Sequence, residues 1–491
     1  MLRDWLKGLS YTLLQGSLDV EVDDVVYDSR QASPGAVFVC ITGTHVDSHN
    51  YIPQVLKAGV KVLVVEREVE APQSVTVVQA EHGREALAVL SAARFGHPAE
   101  KLLLAGVTGT KGKTTTTHMI RAILEAAGKK TGMIGTNGVY IGDKHYPTRN
   151  TTPESYELER YFAEMVADGC QCCVMEVSSQ AMKMYRVAGI TFDYGVFTNL
   201  SPDHIGPDEH KDFEEYFSCK KQVFHQSRYA LVNIDDGYAG EITRGIPCAW
   251  EGFGTGGGAQ YQAEHIRYVS EPDFVGLEFD IRGVHDIPVR VNIPGKFNVY
   301  NALAAAAIGL KAGVPAQALR HALEHLKLDG RMEIVHTSER CCVIVDYAHN
   351  AVSMESLLAT LREYRPKRLV CVFGCGGNRS KDRRYSMGEI AGKMADFSII
   401  TADNSRYEKV EDIIADIRGS LEKAGGVFLE IPDRREAIAY SITHAQPGDM
   451  IAIIGKGHED YQEVDGVRYP FLDRAVVQEV VADLTARGCA P

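Results

Sequence analysis

Short runs of β-branched and other apolar residues alternate with segments of helical periodicity along almost the whole chain. This alternation predicts parallel β-sheets whose strands are connected by crossover helices. In the first region the pattern predicts strands at Val37–Cys40, Val62–Val65 and Val75–Val78, followed by a helix at Arg84–Phe95. The turn-forming residues of Gly96–Pro98 then indicate a linker.

The second region opens on Leu102–Val107, which is predicted to be a buried strand that leads into a glycine-rich loop. Apolar positions at helical spacing follow the loop as far as Gly128, which we expect to end the helix. Gly252–Gly258 is rich in glycine and is predicted to be a flexible surface loop. A helix that begins near Asn298 is expected to close the region around Leu326. Further strands are predicted at Cys172–Val177, Tyr194–Thr198 and Ala230–Asn233.

The third region begins near Leu328, and its strands and helices alternate as in a Rossmann-like sheet. Its predicted strands are Val343–Val345, Leu369–Phe373, Ser398–Thr401 and Met450–Ile454. In such sheets ligands bind at the carboxyl ends of the strands. We therefore predict an α/β protein of three domains, residues 1–99, 100–327 and 328–491, with a parallel central sheet and a Rossmann-like C-terminal domain.

Composition narrows the class of protein. The 491 residues are 45% hydrophobic and 24% charged, which is enough apolar material for several cores. The formal net charge of −13 argues against a nucleic-acid partner, because neutralising phosphates needs a basic surface. The first residues contain no apolar signal run and no segment is long enough to span a bilayer, so we expect a cytoplasmic protein. The cysteines are expected to be reduced, and Cys170 and Cys173 form a lone C-x-x-C in which we expect no metal.

The glycine-rich segment Gly106–Thr115 lies between a predicted strand and a predicted helix. Its glycines let backbone N–H groups approach a phosphate at the N-terminus of the helix. Lys113 can place a positive charge against the β- and γ-phosphates, and Thr114 can hold Mg²⁺. Val107 occupies the usual first glycine position, so the spacing departs from the strict consensus. The segment predicts a P-loop ATPase-like central domain that binds ATP through Gly109, Thr110, Lys111, Gly112, Lys113, Thr114 and Thr115.

Polar residues also follow the neighbouring strands. Glu176 ends one predicted strand, where a carboxylate near a phosphate loop suits Mg²⁺. His204 follows the next strand; a lone histidine there is more often a surface residue, but its place after a strand of the same sheet favours a role in the site. The hydroxyls and amide of Asn150–Glu154 suit a sugar pyrophosphate, and the same residues fit a helix N-terminus with Glu154 in the first turn.

Gly109–Thr115 resembles the ATP loop of the Mur ligases and the folylpolyglutamate synthetases, which join a carboxylate to an amine through an acyl phosphate. The remaining motifs favour the Mur ligases, and within them the enzymes that add a diamino acid to a UDP-muramoyl dipeptide. The resemblance covers nearly the whole chain. It implies ATP as co-substrate, Mg²⁺ as cofactor and a monomer that acts on small molecules.

The resemblance also implies roles for individual residues. Catalysis is expected of Lys113, Glu176, His204 and Lys220, and the implied Mg²⁺ ligands are Thr114, Glu176, His204 and a carbamylated Lys220. Lys220 is chosen over Lys221 by its spacing from His210. The implied contacts to the UDP-substrate are Ser29, Thr151, Thr152, Ser178 and Arg186, and further contacts to ATP are Asn301, Arg331 and Asp346. Taken alone, Asp28-Ser29-Arg30 predicts only a turn.

The acceptor amino acid is predicted from Asp403-Asn404-Ser405-Arg406, where relatives that take meso-diaminopimelate typically have Asp-Asn-Pro-Arg. A guanidinium is the natural bidentate partner for the distal carboxylate of diaminopimelate, which lysine lacks. The implied contacts to the amino acid are Arg384, Asp403, Asn404, Arg406, Gly455 and Glu459. We expect meso-diaminopimelate to be joined to the D-glutamate γ-carboxylate of UDP-N-acetylmuramoyl-L-alanyl-D-glutamate, with L-lysine or another diamino acid as the alternative.

Two other interpretations stay open from the sequence. One is a different ligase of the superfamily, such as a D-Ala-D-Ala-adding or folate-polyglutamylating enzyme. The other is a regulator that binds nucleotide without ligase activity.

Overall fold

The computed structural model describes residues 1–43, 46–206, 209–283, 286–326, 328 and 330–488. The chain divides into two compact units. The first holds Met1–Gln262 and Tyr300–Leu319, and the second holds Ala263–Arg282, Asp286–Val299 and most of the chain after Leu319. The boundaries between the three predicted domains stay a prediction.

The N-terminal part of the first unit is a five-stranded sheet of order β1-β5-β4-β3-β2. Its elements are α1 (Leu2–Trp5), β1 (Tyr11–Gln15), β2 (Asp24–Val26), β3 (Ala36–Val39), α2 (Ile52–Lys57), β4 (Val62–Val65), β5 (Thr76–Ala80) and α3 (Gly83–Arg94). Strands β2 to β5 are parallel and β1 is antiparallel to β5. In β3, Val37 and Phe38 are buried in different apolar clusters, so both faces of the sheet are covered.

The central sheet of the first unit has the strand order β13-β12-β11-β6-β10-β7-β8-β9. Its elements are β6 (Leu103–Thr108), α4 (Lys113–Ala126), β7 (Thr131–Gly135), β8 (Gly138–Ile141), β9 (Lys144–Tyr146), α5 (Ser155–Ala167), β10 (Cys172–Glu176), α6 (Ser179–Lys183), β11 (Phe192–Phe197), α7 (Phe213–Gln222), β12 (Ser227–Asn233), α8 (Ala239–Thr243) and β13 (Ala249–Gly254), followed by β14 (Tyr261–Glu271). The strands from β13 to β7 pair in parallel, whereas β8 and β9 are antiparallel. The carboxyl ends of β6, β10 and β11 therefore lie next to one another.

The prediction of a flexible loop at Gly252–Gly258 is wrong for its first half. Gly252 lies inside β13 and pairs with Val232. A Cβ on Gly252 would lie 2.5 Å from Cγ2 of Ile234, so the glycine serves close packing between neighbouring strands.

The single helix predicted from Asn298 to about Leu326 is also corrected. The structure has two helices, α9 (Phe297–Lys311) and α10 (Ala316–Glu324). Gly313 lies between them with a φ of 77°, a left-handed conformation that ends a helix.

The second unit contains a sheet of order β17-β18-β22-β19-β20-β21. Its elements are β15 (Phe274–Gly283), β16 (Ile287–Val291), β17 (Glu333–Thr337), β18 (Cys341–Asp346), α11 (Ala351–Arg362), β19 (Arg368–Phe373), α12 (Lys381–Met394), β20 (Phe397–Ile400), α13 (Val410–Lys423), β21 (Phe428–Glu430), α14 (Arg434–Thr443), β22 (Asp449–Ile454), β23 (Tyr461–Val464), β24 (Val467–Pro470) and α15 (Asp473–Ala486). The predicted strands β18, β19, β20 and β22 pair in parallel, as expected. The parallel strand β21, the antiparallel strand β17 and the hairpin β23–β24 were not predicted.

The cysteines and the helices of the described residues bear on the redox state and on membrane spans. The ten cysteines described there are free, and most of them are buried. Every helix in this part of the chain is too short or too polar to cross a membrane.

Candidate functional site

The glycine-rich segment forms the tight connection predicted between β6 and α4. Gly109 has a φ of 148° and Gly112 has a φ of 85°, conformations that favour glycine. A Cβ on Gly109 would lie 1.9 Å from Oγ1 of Thr198, and a Cβ on Gly112 would lie 2.5 Å from Oδ1 of Asn301. Neighbouring side chains therefore occupy the space that any larger residue would need. Asn301 is buried and also accepts a hydrogen bond from Thr116 Oγ1 at 3.1 Å.

Asn199 anchors the loop, a role that the sequence did not reveal. Its backbone carbonyl accepts from Thr110 N–H at 2.9 Å, and its Oδ1 accepts from Lys111 N–H at 2.9 Å. Its Nδ2 donates to the carbonyl of Lys111 at 3.0 Å, and Thr198 Oγ1 donates to the same oxygen at 2.8 Å. The end of β11 thus fixes the backbone of the phosphate loop.

Glu176 is buried at the end of β10 and accepts hydrogen bonds from the groups around it. Its Oε1 accepts from Thr114 Oγ1 at 3.0 Å and from Thr136 N–H at 2.9 Å, and the two predicted Mg²⁺ ligands are therefore in direct contact. Hydroxyl and carboxylate oxygens suit Mg²⁺. Among the described residues no group of three His, Cys, Asp or Glu side chains could hold a metal alone, so the site would depend on Thr114 and further ligands.

Lys220 is buried beneath the phosphate loop. Its Nζ donates to the carbonyl of Gly109 at 2.7 Å and lies 4.6 Å from the centroid of the Tyr216 ring. Burial, and then the Lys113 ammonium, hold the pKa of Lys220 well below its usual range. The neutral amine is the form that reacts with carbon dioxide, so this environment suits carbamylation. The adjacent Lys221 points elsewhere and donates to the carbonyls at the end of α8, those of Glu241 and Arg244.

His204 lies on the loop after β11 with a φ of 54° and is half exposed. Its Nδ1 lies 2.8 Å from Oε1 of Glu209, and its ring centroid lies 6.3 Å from that of Tyr216. The Tyr216 hydroxyl is hydrogen-bonded to Thr110 Oγ1 at 2.9 Å. Tyr216, which the sequence did not single out, therefore stands between His204, Lys220 and the phosphate loop.

The predicted UDP-substrate residues Thr151, Thr152 and Ser178 lie around Glu176. Thr152 is fully buried, donates to the carbonyl of Glu176 at 2.8 Å and accepts from Ser178 N–H at 3.2 Å. Thr151 Oγ1 lies 3.0 Å from Thr136 Oγ1, and Ser178 caps α6. These hydroxyls thus share one edge of the sheet with the phosphate loop.

Glu154 has a different role from the one predicted. Helix α5 begins at Ser155, so Glu154 precedes the first turn, and its side chain makes no cap hydrogen bond. Its carboxylate instead accepts from Arg186 Nε at 2.9 Å and from Arg84 at 3.0 Å. Arg186 also donates to the carbonyl of Thr152 at 3.2 Å, so Glu154 holds a predicted substrate-binding arginine in place.

Ser29 begins a 3₁₀ turn, Ser29–Gln31, in which the Asp28 carboxylate accepts from Arg30 N–H. The turn predicted from these residues is confirmed. A contact of Ser29 with uracil stays a prediction.

In the second unit, Asp346 ends β18 and accepts from the N–H groups of Met332 and Ala348 at 2.7 and 2.8 Å. Burial raises the pKa of the Asp346 carboxyl. The Arg331 guanidinium carbon lies 6.0 Å from the centroid of the Tyr347 ring. The two predicted nucleotide contacts of this unit are thus close in the fold.

The segment around Gly330 meets the loop after β22 backbone to backbone. A Cβ on Gly330 would lie 2.1 Å from the nitrogen of His458, and a Cβ on Gly457 would lie 2.6 Å from the oxygen of Gly330. Neither position has room for a side chain.

The predicted acceptor residues gather where β20 and β22 end. Asn404 Nδ2 donates to Glu459 Oε2 at 3.0 Å, and a Cβ on Gly455 would lie 2.7 Å from Asp403 Oδ2. The sequence missed the residue at their centre, Lys456, which is fully buried and donates to Asn404 and Glu459.

The two predicted acceptor arginines differ in their surroundings. Arg406 is partly exposed and donates to the carbonyl of Gly377 at 2.7 Å. Arg384 is buried, and it donates to Glu408 at 2.8 Å and to Asp416 at 2.9 Å. Both of its carboxylate partners come from the protein, so the structure ties Arg384 into an ion-pair network.

A phosphate loop, a buried carboxylate and a separate Rossmann-like sheet define a nucleotide-dependent α/β enzyme. Family models match most of the chain: "Mur ligase family, catalytic domain" at residues 21–95, "Mur ligase middle domain" at 107–309 and "Mur ligase, glutamate ligase domain" at 330–457. The chain belongs to the Mur ligase family, and the predictions of this family, of the α/β fold class and of an ATP-dependent ligase are confirmed.

Similar proteins share nearly the full length. A UDP-N-acetylmuramoyl-L-alanyl-D-glutamate–2,6-diaminopimelate ligase of Clostridium acetobutylicum is 40% identical over 98% of this chain and 99% of its own. Its counterpart in Caldanaerobacter subterraneus is 39% identical over 98% of each chain. A solved structure of a ligase with the same name has a TM-score of 0.77 at 27% identity and covers 96% of this chain and 98% of its own. The structure of a UDP-N-acetylmuramoylalanyl-D-glutamyl-2,6-diaminopimelate–D-alanyl-D-alanyl ligase from Acinetobacter baumannii, at 20% identity and a TM-score of 0.57 over 99% of this chain and 98% of its own, shares the fold.

Proposed function

We propose that this chain joins meso-2,6-diaminopimelate to the D-glutamate γ-carboxylate of UDP-N-acetylmuramoyl-L-alanyl-D-glutamate, with ATP as the energy source, in peptidoglycan precursor synthesis. The observation that carries the proposal is the pairing of Thr114 with Glu176 beside the phosphate loop, in a chain whose relatives at about 40% identity are named for this reaction.

ATP binding is assigned to the phosphate loop. The backbone from Gly109 to Thr115 would surround the phosphates, with Lys113 as the positive charge beside them. Asn301 supports the loop through Gly112. Asp346 and Arg331 are proposed to contact the nucleoside part of ATP.

Thr114 and Glu176 would hold Mg²⁺, and His204 and a carbamylated Lys220 are the further ligands that we propose. When bound, Mg²⁺ neutralises phosphate charge during phosphoryl transfer. The protein residues position the groups that react: Lys113 holds the transferred phosphoryl group, and Arg186, held by Glu154, aligns the UDP-substrate.

The reaction runs in two steps. The γ-carboxylate of D-glutamate attacks the γ-phosphorus of ATP, which forms an acyl phosphate and releases ADP. The acceptor amine then attacks the acyl carbon, the C–O bond to phosphate breaks, and an amide, inorganic phosphate and a proton are produced. Little covalent chemistry falls to the protein, which acts by positioning and by charge stabilisation.

Diaminopimelate is proposed over L-lysine because Arg406 is retained two residues after Asn404, whose amide donates to Glu459. These side chains can bind a distal group that carries both a carboxylate and an ammonium. Lysine lacks that carboxylate, so it would leave the guanidinium without a partner. We further propose that the chain acts on these small molecules as a monomer in the cytoplasm, where the nucleotide substrates occur.

The experiment measures phosphate release by purified protein with ATP, Mg²⁺ and UDP-N-acetylmuramoyl-L-alanyl-D-glutamate, with either meso-diaminopimelate or L-lysine as acceptor. We expect phosphate release with diaminopimelate, and no release when ATP or the UDP-substrate is omitted. Preference for lysine would overturn the acceptor assignment and keep the ligase. Absence of release with both would favour a nucleotide-binding regulator or another ligase of the superfamily.

A further inference from the structure

Lys456 is an ammonium buried between the two loops that carry the proposed acceptor residues. It follows β22, and its Nζ donates to Asn404 Oδ1 at 3.0 Å and to Glu459 Oε2 at 3.2 Å. Asp403 Oδ1 lies 4.0 Å from the same nitrogen. A buried charge persists only with partners of this kind, so Lys456 links the loops after β20 and β22.

The contacts of Asn404 determine which way its amide faces. Its Oδ1 accepts from Lys456 Nζ and from the backbone N–H of Glu463 at 2.9 Å. Both partners can only donate, so the oxygen of the amide must face them. The Nδ2 group must then face the opposite way, where one of its N–H groups meets Glu459 Oε2. On that side the amide therefore has N–H donors and no acceptor.

Glu459 is fixed by the same ammonium. Its Oε2 accepts from both Lys456 and Asn404, while Oε1 lies 3.4 Å from the Tyr347 hydroxyl, which donates to it. Because Lys456 is fully buried, it offsets the charge of the Glu459 carboxylate from the protein interior. The amide group of Asn404 and the carboxylate of Glu459 therefore lie side by side.

We propose that Lys456 is a positioning residue that determines acceptor specificity. It acts through Asn404, whose amide it orients together with the backbone N–H of Glu463 so that an N–H, and not a carbonyl oxygen, faces the distal carboxylate of the acceptor. This inference rests on the proposed function and deepens it. A lysine acceptor has no distal carboxylate, so the orientation of Asn404 distinguishes the two amino acids.

The test compares wild type with Lys456→Met, which keeps an unbranched side chain of most of the length and removes its donors. The KM for diaminopimelate is expected to rise about tenfold to a hundredfold, the loss typical of a charge-assisted hydrogen bond, while the KM for ATP changes less than about twofold. The preference for diaminopimelate over L-lysine in kcat/KM is expected to shrink by a similar factor. Lys367→Met, which removes an exposed lysine of the same unit, is the control for charge and is expected to leave these values within about twofold.

A double-mutant cycle separates positioning from general stability. If Lys456 acts through Asn404, then Lys456→Met should cost little in an Asn404→Ala background. Lys456→Gln retains an N–H donor and should recover part of the preference, and it replaces the methionine variant if that protein does not fold. The proposal would be overturned if the losses in kcat/KM of the two single variants multiplied in the double variant. It would also be overturned if Lys456→Met lowered the Tm and left the preference for diaminopimelate over L-lysine unchanged. A wild-type protein that is inactive with diaminopimelate would overturn the proposed function itself, and with it this inference.

Discussion

Lys113 and Lys220 donate hydrogen bonds to the same oxygen, the carbonyl of Gly109, at 2.8 and 2.7 Å. The two residues are far apart in the chain, and the fold brings both nitrogens to the first turn of the phosphate loop. Burial and the neighbouring Lys113 charge both lower the pKa of Lys220. The Lys113 charge therefore adds to burial in favouring the neutral amine of Lys220, the form that reacts with carbon dioxide.

The first prediction concerns these adjacent lysines of α7. Lys220→Met is expected to lower kcat at least about a hundredfold, because it removes a proposed Mg²⁺ ligand beneath the phosphate loop. Lys221→Met is the matched control and should retain activity within about twofold, since Lys221 Nζ donates to carbonyls at the end of α8 and not to the phosphate loop. Phosphate release measures both variants, and intact mass with labelled carbon dioxide detects the carbamate. Equal losses in the two variants would contradict the assignment.

A second prediction concerns acid stability at the start of α7. The hydrogen bond from Lys183, followed by that from the backbone of Lys211, lowers the pKa of Glu215 to about 2 from an ordinary 4.5. A carboxyl with a lowered pKa stabilises the fold above pH 4.5, and this contribution is lost as the pH falls toward 2. Glu215→Gln should therefore lower the free energy of unfolding at pH 7 by about 1 kcal/mol, and the difference should vanish in acid. Urea titrations at several pH values measure it, with the exposed Glu214→Gln as control; a difference independent of pH would contradict the prediction.

The third prediction separates two arginines of the second unit. Arg384→Met leaves Glu408 and Asp416 without their buried partner and should lower the free energy of unfolding by about 2 kcal/mol. Arg406→Met should change this energy by less than about 1 kcal/mol and raise the KM for diaminopimelate about tenfold or more. Thermal unfolding and acceptor titrations decide between structural and binding roles. A stable Arg384→Met protein with a raised KM would show instead that Arg384 serves the acceptor.

The fourth prediction uses two glycines at opposite ends of α4. Gly112 and Gly128 both have positive φ, 85° and 76°, but a Cβ meets Asn301 only at Gly112 and has open space at Gly128. Gly128→Ala should cost about 1 kcal/mol from backbone strain alone. Gly112→Ala should cost more and weaken ATP binding at least about tenfold, because the loop must shift. Calorimetric titration with ATP checks this, and equal effects of the two variants would contradict it.

The sequence predicted the parts of the site that depend on local pattern. The loop between β6 and α4 and the contact between Thr114 and Glu176 followed from a phosphate-binding motif and from the ends of neighbouring parallel strands. The fold class and the positions of four parallel strands of the C-terminal sheet required little more than hydrophobic runs and helical periodicity, whereas the order of the strands in that sheet was not predicted.

The parts that were missed depend on contacts between distant segments. Asn199 anchors Lys111, Glu154 holds Arg186, and neither relation has a local signature. The sequence analysis assigned acceptor contacts to Gly455 and Glu459 but not to Lys456, which lies between them. The prediction that Gly252 lies in a loop was wrong for a related reason. A glycine needed for close packing against a neighbouring segment cannot be distinguished in sequence from a glycine in a loop.

The close meeting of Gly330 and Gly457 bears on any attempt to exchange acceptor loops between enzymes of this family. Since the two backbones fill each other's space, a transplanted loop with a side chain at position 457 would push the segment at 330 away, and Arg331 and Asp346 lie on that side. A chimaera designed to accept a new amino acid should therefore inherit both segments from one parent, so that a change of acceptor does not become a defect in nucleotide use.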